Sequence, residues 1–294
     1  HEPSRRQRQM CIRDRVMEKT MRTSGAETLS ISANIFVGQT EAPILIRPYI
    51  SKMTNSELMT VMVGGFSTVA GSVMALYVTW LNNIPEIAGH LLAASVMSAP
   101  AALMVAKIIY PETKSYQIIN SNSIKLKSQD NNLVDAIGRG ATDGLKLAAN
   151  VAAMLIAFIS LVAMINFILG LLGTSMQEML GLLFKPLAWT MGIPWADAKI
   201  VGTLMGEKIV LTELIAFKDL SNYVSNNTIS ERSVIIASYA LCGFANFGSI
   251  GIQLGGIGSM APKRKKDLSK LVFKAMLGGA IASWLTASIV GILI

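Results

Sequence analysis

Histidine is almost missing from this 294-residue sequence, which has two, His1 and His90. That leaves no cluster for a zinc site and no base for a Ser-His-Asp triad, so most hydrolytic chemistry is excluded and an enzyme is not expected. Cysteine is as scarce. Cys11 and Cys242 lie far apart, the second inside an apolar segment, and no disulfide framework follows from them. Aromatic residues make up 6% of the chain and the basic residues sit in connectors. A stacking-plus-phosphate surface for nucleic acid is therefore not expected, despite a net charge of +8. Charged residues are 15% in all, against about 25% in soluble domains. What fills their place is apolar: 52% hydrophobic residues and a mean hydropathy of +0.49. This composition describes a polytopic helical membrane protein, in which the basic residues report loop topology first.

Against that background the polar sextet Gly38-Gln39-Thr40-Glu41-Ala42-Pro43 stands out. Apolar residues flank it at 29–37 and 44–46, yet neither flank approaches the ~20 residues a membrane-crossing helix needs. Glycine and proline break the helix, and a carboxylate sits at the break. In a membrane protein this predicts a re-entrant hairpin whose tip lines a polar cavity.

The rest of the chain divides around this feature. Residues 1–15 are basic, lack the apolar core of a signal peptide and read as a tag or assembly scar. A membrane-associated segment follows at once, as expected of an N-terminally truncated sequence lacking upstream spans. The first repeat covers 16–110: a hairpin at 16–50, a span at 54–80 interrupted at 64–72, and a span at 91–110. Residues 111–132 form a polar loop carrying Lys114, Lys125 and Lys127. Residues 133–146 alternate apolar and charged positions, suggesting an interfacial helix. Residues 147–173 are an uncharged scaffold span, and 174–195 an interfacial segment anchored by Trp189 and Trp195. The second repeat covers 196–294: a hairpin at 196–219, a span at 231–257 broken around 242–249, and a span at 270–294.

The order hairpin, broken span, full span thus occurs twice. Paired discontinuous helices at corresponding places are the sequence signature of a secondary-transporter binding site. Positive charge puts 111–132 and 261–270 in the cytoplasm and the Lys/Arg-free loop 81–90 outside. The first hairpin then opens inward, the second outward, and the repeats are inverted. The expected fold class is an all-α polytopic membrane protein built from an inverted repeat of re-entrant hairpin, discontinuous helix and full span.

Glu41 and Glu213 occupy matching tips. A carboxylate at bilayer depth costs about 2.5–3.5 kcal/mol on insertion scales, so it faces a cavity or a partner. Either a membrane-surface position or neutralisation by Arg47 or Lys208 is the alternative. Two such groups can accept hydrogen bonds from a polyhydroxyl ligand such as ribose. Gln39 and Thr40 carry donors and acceptors able to bind a nucleobase edge. Asn246 and Ser249 lie at the second break beside Phe244, where interhelical bonding is the competing role. Asn34, the Val37 carbonyl and Ser67 or Thr68 compose a candidate Na⁺ site, or are ordinary polar residues of membrane helices.

The motifs GQTEAP (38–43), GGFSTVAGSV (64–73), LTELIAF (211–217) and CGFANFGSIGIQLGGIG (242–258) occur in one order. Together they closely resemble the concentrative nucleoside transporter family, from about Val16 to the C-terminus. The resemblance implies import of a nucleoside such as uridine across a bacterial inner membrane, coupled to Na⁺, by an elevator-like movement in a homotrimer. It implies nucleobase contacts from Gln39 and Thr40, with Glu41 nearby. Ribose contacts come from Glu213, Asn246 and Ser249, and pocket walls from Val73 and Phe244. Sodium ligands are implied at Asn34, Val37, Thr68 and Val69, and no cofactor. Thr212 departs from the family's usual Asn, and about three upstream scaffold spans are missing. Proton coupling through Glu41 or Glu213, or an inactive fragment, are the alternatives; a channel would need a continuous polar path that is absent here.

Overall fold

The computed structural model describes residues 23–113 and 132–294, all helical or connecting, with no strand among them. The expected N-terminal tag, the start of the first hairpin and the lysines of the 111–132 loop lie outside the described residues. Helix α1 (Gly25–Asn34) and the short helices α2 (Glu41–Leu45) and α3 (Arg47–Ile50) form the first hairpin. Helices α4 (Asn55–Ser67) and α5 (Gly71–Trp80) are the two halves of a broken helix, and α6 (Ile87–Ile109) follows. Next come α7 (Leu133–Gly170) and α8 (Met176–Thr190). The second hairpin is α9 (Trp195–Val210) with α10 (Glu213–Ser225), the second broken helix α11 (Glu231–Leu241) with α12 (Phe247–Met260), and α13 (Lys265–Leu293) ends the chain. The hairpin, broken helix and long helix therefore occur twice, in an all-α polytopic architecture. Among the described residues three stretches are long and apolar enough to cross a bilayer: Asn55–Trp80, Ile87–Ile109 and Pro262–Leu293.

Local chemistry sets the helix starts. Ser24 and Thr54 each form a capping box, with Glu27 and Glu57 returning to the cap backbone. Asn132, Ser175, Thr212, Ser230 and Asn246 each accept a backbone N–H of their helix's first turn. The first turns are also tied to each other within each repeat. Lys107 of α6 bonds Glu27 of α1 at 2.6 Å and Ser56 of α4 at 3.1 Å. In the second repeat Asp197 of α9 accepts from Ser230 and Ser233 of α11 at 2.6 and 2.7 Å. Both hairpins are thus anchored at the base through a charged side chain.

One expectation about helix boundaries is narrowed and another differs. The interruption expected within 64–72 falls at Thr68–Ala70, and α4 runs unbroken through Gly64 and Gly65. Those glycines serve packing: a Cβ at Gly65 would stand 2.7 Å from Gln253 Nε2 and 3.1 Å from Gln39 Cβ. The helix ends where the Ser67 and Thr68 hydroxyls both donate to the Gly64 carbonyl and Thr68 turns extended. The second difference is α7, one continuous helix of 38 residues across the boundary expected at 146/147. At 1.5 Å per residue it is roughly 57 Å long, nearly twice a ~30 Å hydrocarbon core. No proline interrupts it, and single glycines such as Gly140 only weaken a helix. The segment expected to be interfacial at 174–195 is chiefly α8, packed along α9, with Trp189 and Trp195 half-exposed and edge to face.

The core forms where the two broken helices meet α6 and α13. Phe66, fully buried, sits against Gly279 of α13, where a Cβ would be 2.3 Å from Phe66 Cβ. Gly243 adopts φ +124°, which L side chains rarely take, and a Cβ there would lie 2.8 Å from Phe66 O and 2.9 Å from Ser67 O. The two breaks therefore touch backbone to backbone. This contact positions everything that follows.

Candidate functional site

The polar residues at the breaks and tips make one connected chain. Gln39, at the first hairpin tip and 6% exposed, donates to Ser249 Oγ at 3.0 Å. Its carbonyl oxygen accepts from Gln253 Nε2 at 3.3 Å, and Gln253 also donates to the Met62 carbonyl at 3.0 Å. Ser249 N–H donates to Asn246 Oδ1 at 2.7 Å, the N-cap bond of α12. Asn246 Nδ2 in turn donates to Glu213 Oε2 at 2.9 Å, and Tyr77 OH donates to Glu213 Oε1 at 3.3 Å. The sequence Gln253, Gln39, Ser249, Asn246, Glu213, Tyr77 links both hairpins through the first turn of α12. Each hairpin tip thus reaches across to the other repeat's broken helix or to the shared helix start.

Burial raises the stakes of this network. Glu213, Asn246, Ser249 and Gln253 are all buried, and a polar group there costs free energy unless it is partnered. Tyr77 stacks on Phe217 with centroids 3.9 Å apart, which fixes its hydroxyl toward Glu213. Val73 and Phe244, both half-buried, pack on the same apolar cluster as Tyr77 and Phe217. The polar chain and this apolar cluster meet at Tyr77.

Other residues singled out above sit differently. Thr40 is half-buried and donates to Glu41, which is exposed. Glu41 and Glu213 are thus in unlike settings, one facing outward at its tip and one buried. Arg47 pairs with Asp143 of α7 at 3.2 Å, not with Glu41. Lys208 is fully buried, and it donates to the carbonyls of Ala240 and Cys242 at 2.9 and 3.5 Å instead of bonding Glu213.

The cation candidates gather at the first break. Asn34 is fully buried at the end of α1, and its Nδ2 donates to Ser30 O at 3.1 Å. Its Oδ1 is buried without a partner among the described residues. A Cβ on Gly64 would lie 3.7 Å from Asn34 Nδ2, and Gly64 O is the acceptor for Thr68, so Asn34 and the break are neighbours. Gly71 N–H donates to Phe36 O at 3.0 Å, holding the hairpin tip against the start of α5. Val69 is buried and Val37 is partly exposed at the tip. Among the described residues no group of three His, Cys, Asp or Glu stands together. An orphaned amide oxygen beside hydroxyl and carbonyl oxygens fits a hard monovalent cation.

Tyr77 and Gln253 were not anticipated from the sequence. Signals for both existed: Tyr77 bears one of the few polar groups in the apolar run 71–80, and Gln253 carries the amide of GIQLGG. Each belongs to the site through contacts more than a hundred residues away in sequence, which local pattern does not report.

Residues 90–291 match the family described as Na+ dependent nucleoside transporter C-terminus, more than half of the chain, and residues 12–84 match Nucleoside recognition. Sodium/nucleoside cotransporter 1 of Mus musculus is 43% identical over 95% of this chain and 46% of its own length. The chain spans about half the length of such curated relatives. The uncharacterized transporter YutK of Bacillus subtilis is 42% identical over 95% of this chain and 69% of its own. Among solved structures, CNTnw in an inward-facing substrate-bound state is similar with TM-score 0.78 and 43% identity, covering 96% of this chain and 68% of that one. An outward-facing state of a CNTnw variant gives 0.85 and 41%, covering 97% and 69%. With both hairpins, both breaks and the four motifs in place, the chain belongs to the concentrative nucleoside transporter family.

Proposed function

We propose that the protein imports nucleosides, uridine among them, across a bacterial inner membrane by alternating access, coupled to Na⁺. The observation that carries this reading is the polar chain from Gln39 through Ser249 and Asn246 to Glu213, which spans both hairpins. In it Gln39 and Thr40 serve the nucleobase, with Glu41 near the tip. Glu213, Asn246 and Ser249 serve the ribose hydroxyls, and Val73 and Phe244 the apolar faces. The donor-acceptor pairs that now satisfy one another are those a nucleoside would take over. The hairpins are re-entrant in this reading, and the unit works as a homotrimer with an elevator-like movement.

Coupling follows from the first break. Asn34 Oδ1, the Val37 carbonyl, Thr68 and Val69 hold the ion, beside the tip that carries Gln39. An ion there orders the tip through Phe36 and Gly71 and so raises affinity for the nucleoside. One Na⁺ moving down 100 mV supplies about 2.3 kcal/mol, and a tenfold gradient roughly 1.4 more. Together these sustain accumulation of several-hundred-fold at most, which requires moderate affinity so that the ligand leaves.

Asn34→Ala tests the ion site. In the native full-length protein, the Na⁺ concentration giving half-maximal uridine binding should rise about tenfold or more, with binding recovered at saturating Na⁺; tenfold corresponds to ~1.4 kcal/mol. An unchanged Na⁺ dependence would place the ion elsewhere.

A further inference from the structure

The two repeats treat their breaks differently, and the difference lies in one residue. In the first repeat the last turn of α1 presents Asn34, whose buried Oδ1 lacks a donor beside the break. In the second repeat the last turn of α9 presents Lys208, fully buried, whose ammonium donates to Ala240 O and Cys242 O at the end of α11. Carbonyls left free by a helix break are oxygens of the kind that hold a cation in the first repeat's reading. The C-terminal end of α11 also carries partial negative charge, which an ammonium complements.

We propose that Lys208 is a tethered cation that fills the second repeat's counterpart of the sodium site. The first break then requires a mobile ion, whereas the second carries its own. This rests on the reading of Asn34 and its neighbours as the Na⁺ site. It extends that reading to stoichiometry: one coupling ion per chain, because the second equivalent position is occupied by covalently attached charge.

Three further features agree. Cys242 O also accepts from Ser283 Oγ at 2.6 Å, so its lone pairs are committed to donors on both sides. Gly243 follows with φ +124°, which turns the chain away and leaves the preceding carbonyls facing Lys208. Glu213 lies five residues beyond Lys208, across the hairpin tip at the start of α10. The short tip joins charge at the second break to the carboxylate assigned to the ribose, as the mobile ion at the first break is joined to the tip bearing Gln39.

The test replaces the tethered charge by the first repeat's own ligand. Lys208→Asn, in purified full-length protein, should bind about twice the radioactive sodium of wild type at saturation. Its melting temperature should rise with Na⁺ and not with choline, by more than that of wild type. Lys208→Arg, which keeps the charge, should bind the wild-type amount. A Lys208→Asn protein that binds no extra sodium, that Na⁺ stabilises no more than choline does, or that folds at no Na⁺ concentration overturns the proposal. Failure of the underlying sodium reading is read separately, in wild type: sodium binding that is absent there, or unaltered by Asn34→Ala.

Discussion

Glu213→Ala is expected to weaken uridine binding by more than about a hundredfold while the protein remains folded. The carboxylate is 5% exposed and its oxygens already take a hydrogen bond each from Asn246 and Tyr77. It is therefore held in place before any ligand arrives, and little ordering cost falls on binding. Hydrogen bonds to an ionised group contribute roughly 1.5–3 kcal/mol each, and loss of about 2.7 kcal/mol is a hundredfold in affinity. Alanine also leaves Asn246 and Tyr77 without their acceptor, which loosens the start of α12 and with it Ser249 and Gln39. Glu213→Gln keeps the volume and one oxygen, so a loss nearer to tenfold should follow. Calorimetric titration with uridine, alongside a melting curve, measures both. Unchanged affinity in the alanine variant would remove Glu213 from the ribose.

The second large effect is on the fold. Gly243→Ala should abolish stable folding or lower stability by at least about 3 kcal/mol, combining backbone strain of 1–3 kcal/mol with overpacking of similar size. The reason is geometric. At φ +124° a side chain is strained whatever room it has, and here there is none: Phe66 O and Ser67 O stand 2.8 and 2.9 Å from the new Cβ. Those atoms are backbone of the opposite break and cannot move without displacing Phe66 from Gly279. Expression, size-exclusion behaviour and thermal melting of the variant report the outcome. A protein with wild-type melting would mean that the two breaks do not meet as closely as described.

Much of the architecture was legible because membrane helices must satisfy their own backbone, so glycine, proline and polar residues inside apolar runs mark places of interruption. The sextet Gly38–Pro43 begins in the connection between α1 and α2, and the run Cys242–Ser249 begins in that between α11 and α12. Small residues carry two meanings, however. Gly64 and Gly65 read as part of a break, yet they lie within α4 and make room for Ile31, Gln253 and Gln39. The stop at Thr68 lies inside the expected interval 64–72 and is a hydroxyl effect at Gly64 O, which residue type alone does not place. Likewise α7 runs straight through a change from charged to uncharged composition, because composition reports environment and not helix continuity.

The site was legible at its tips and less so at its supports. Gln39, Glu213, Asn246 and Ser249 are polar residues at turns, and the structure brings them into one hydrogen-bonded chain. Tyr77 and Gln253 sit within α5 and α12, and their partners are 136 and 214 residues distant. Closeness in sequence suggests Lys208 as a neutraliser of Glu213. Its ammonium instead reaches the end of α11, 32 residues on, since α9 delivers it to the break and not to its own tip. Glu41 and Glu213 match in repeat position, yet one is exposed and the other buried, because the first tip is longer and its α2 is a single turn-and-a-half.

Central to all of this is the coupling of nucleoside movement to an ion held at the first break. It is tested most directly by labelled uridine uptake into proteoliposomes carrying the native full-length protein, with an inward Na⁺ gradient or with choline replacing Na⁺ at fixed pH. Na⁺-coupled import predicts concentrative uptake in Na⁺ and collapse to equilibration or less in choline. Undiminished concentrative uptake in choline would contradict it and transfer the coupling to protons.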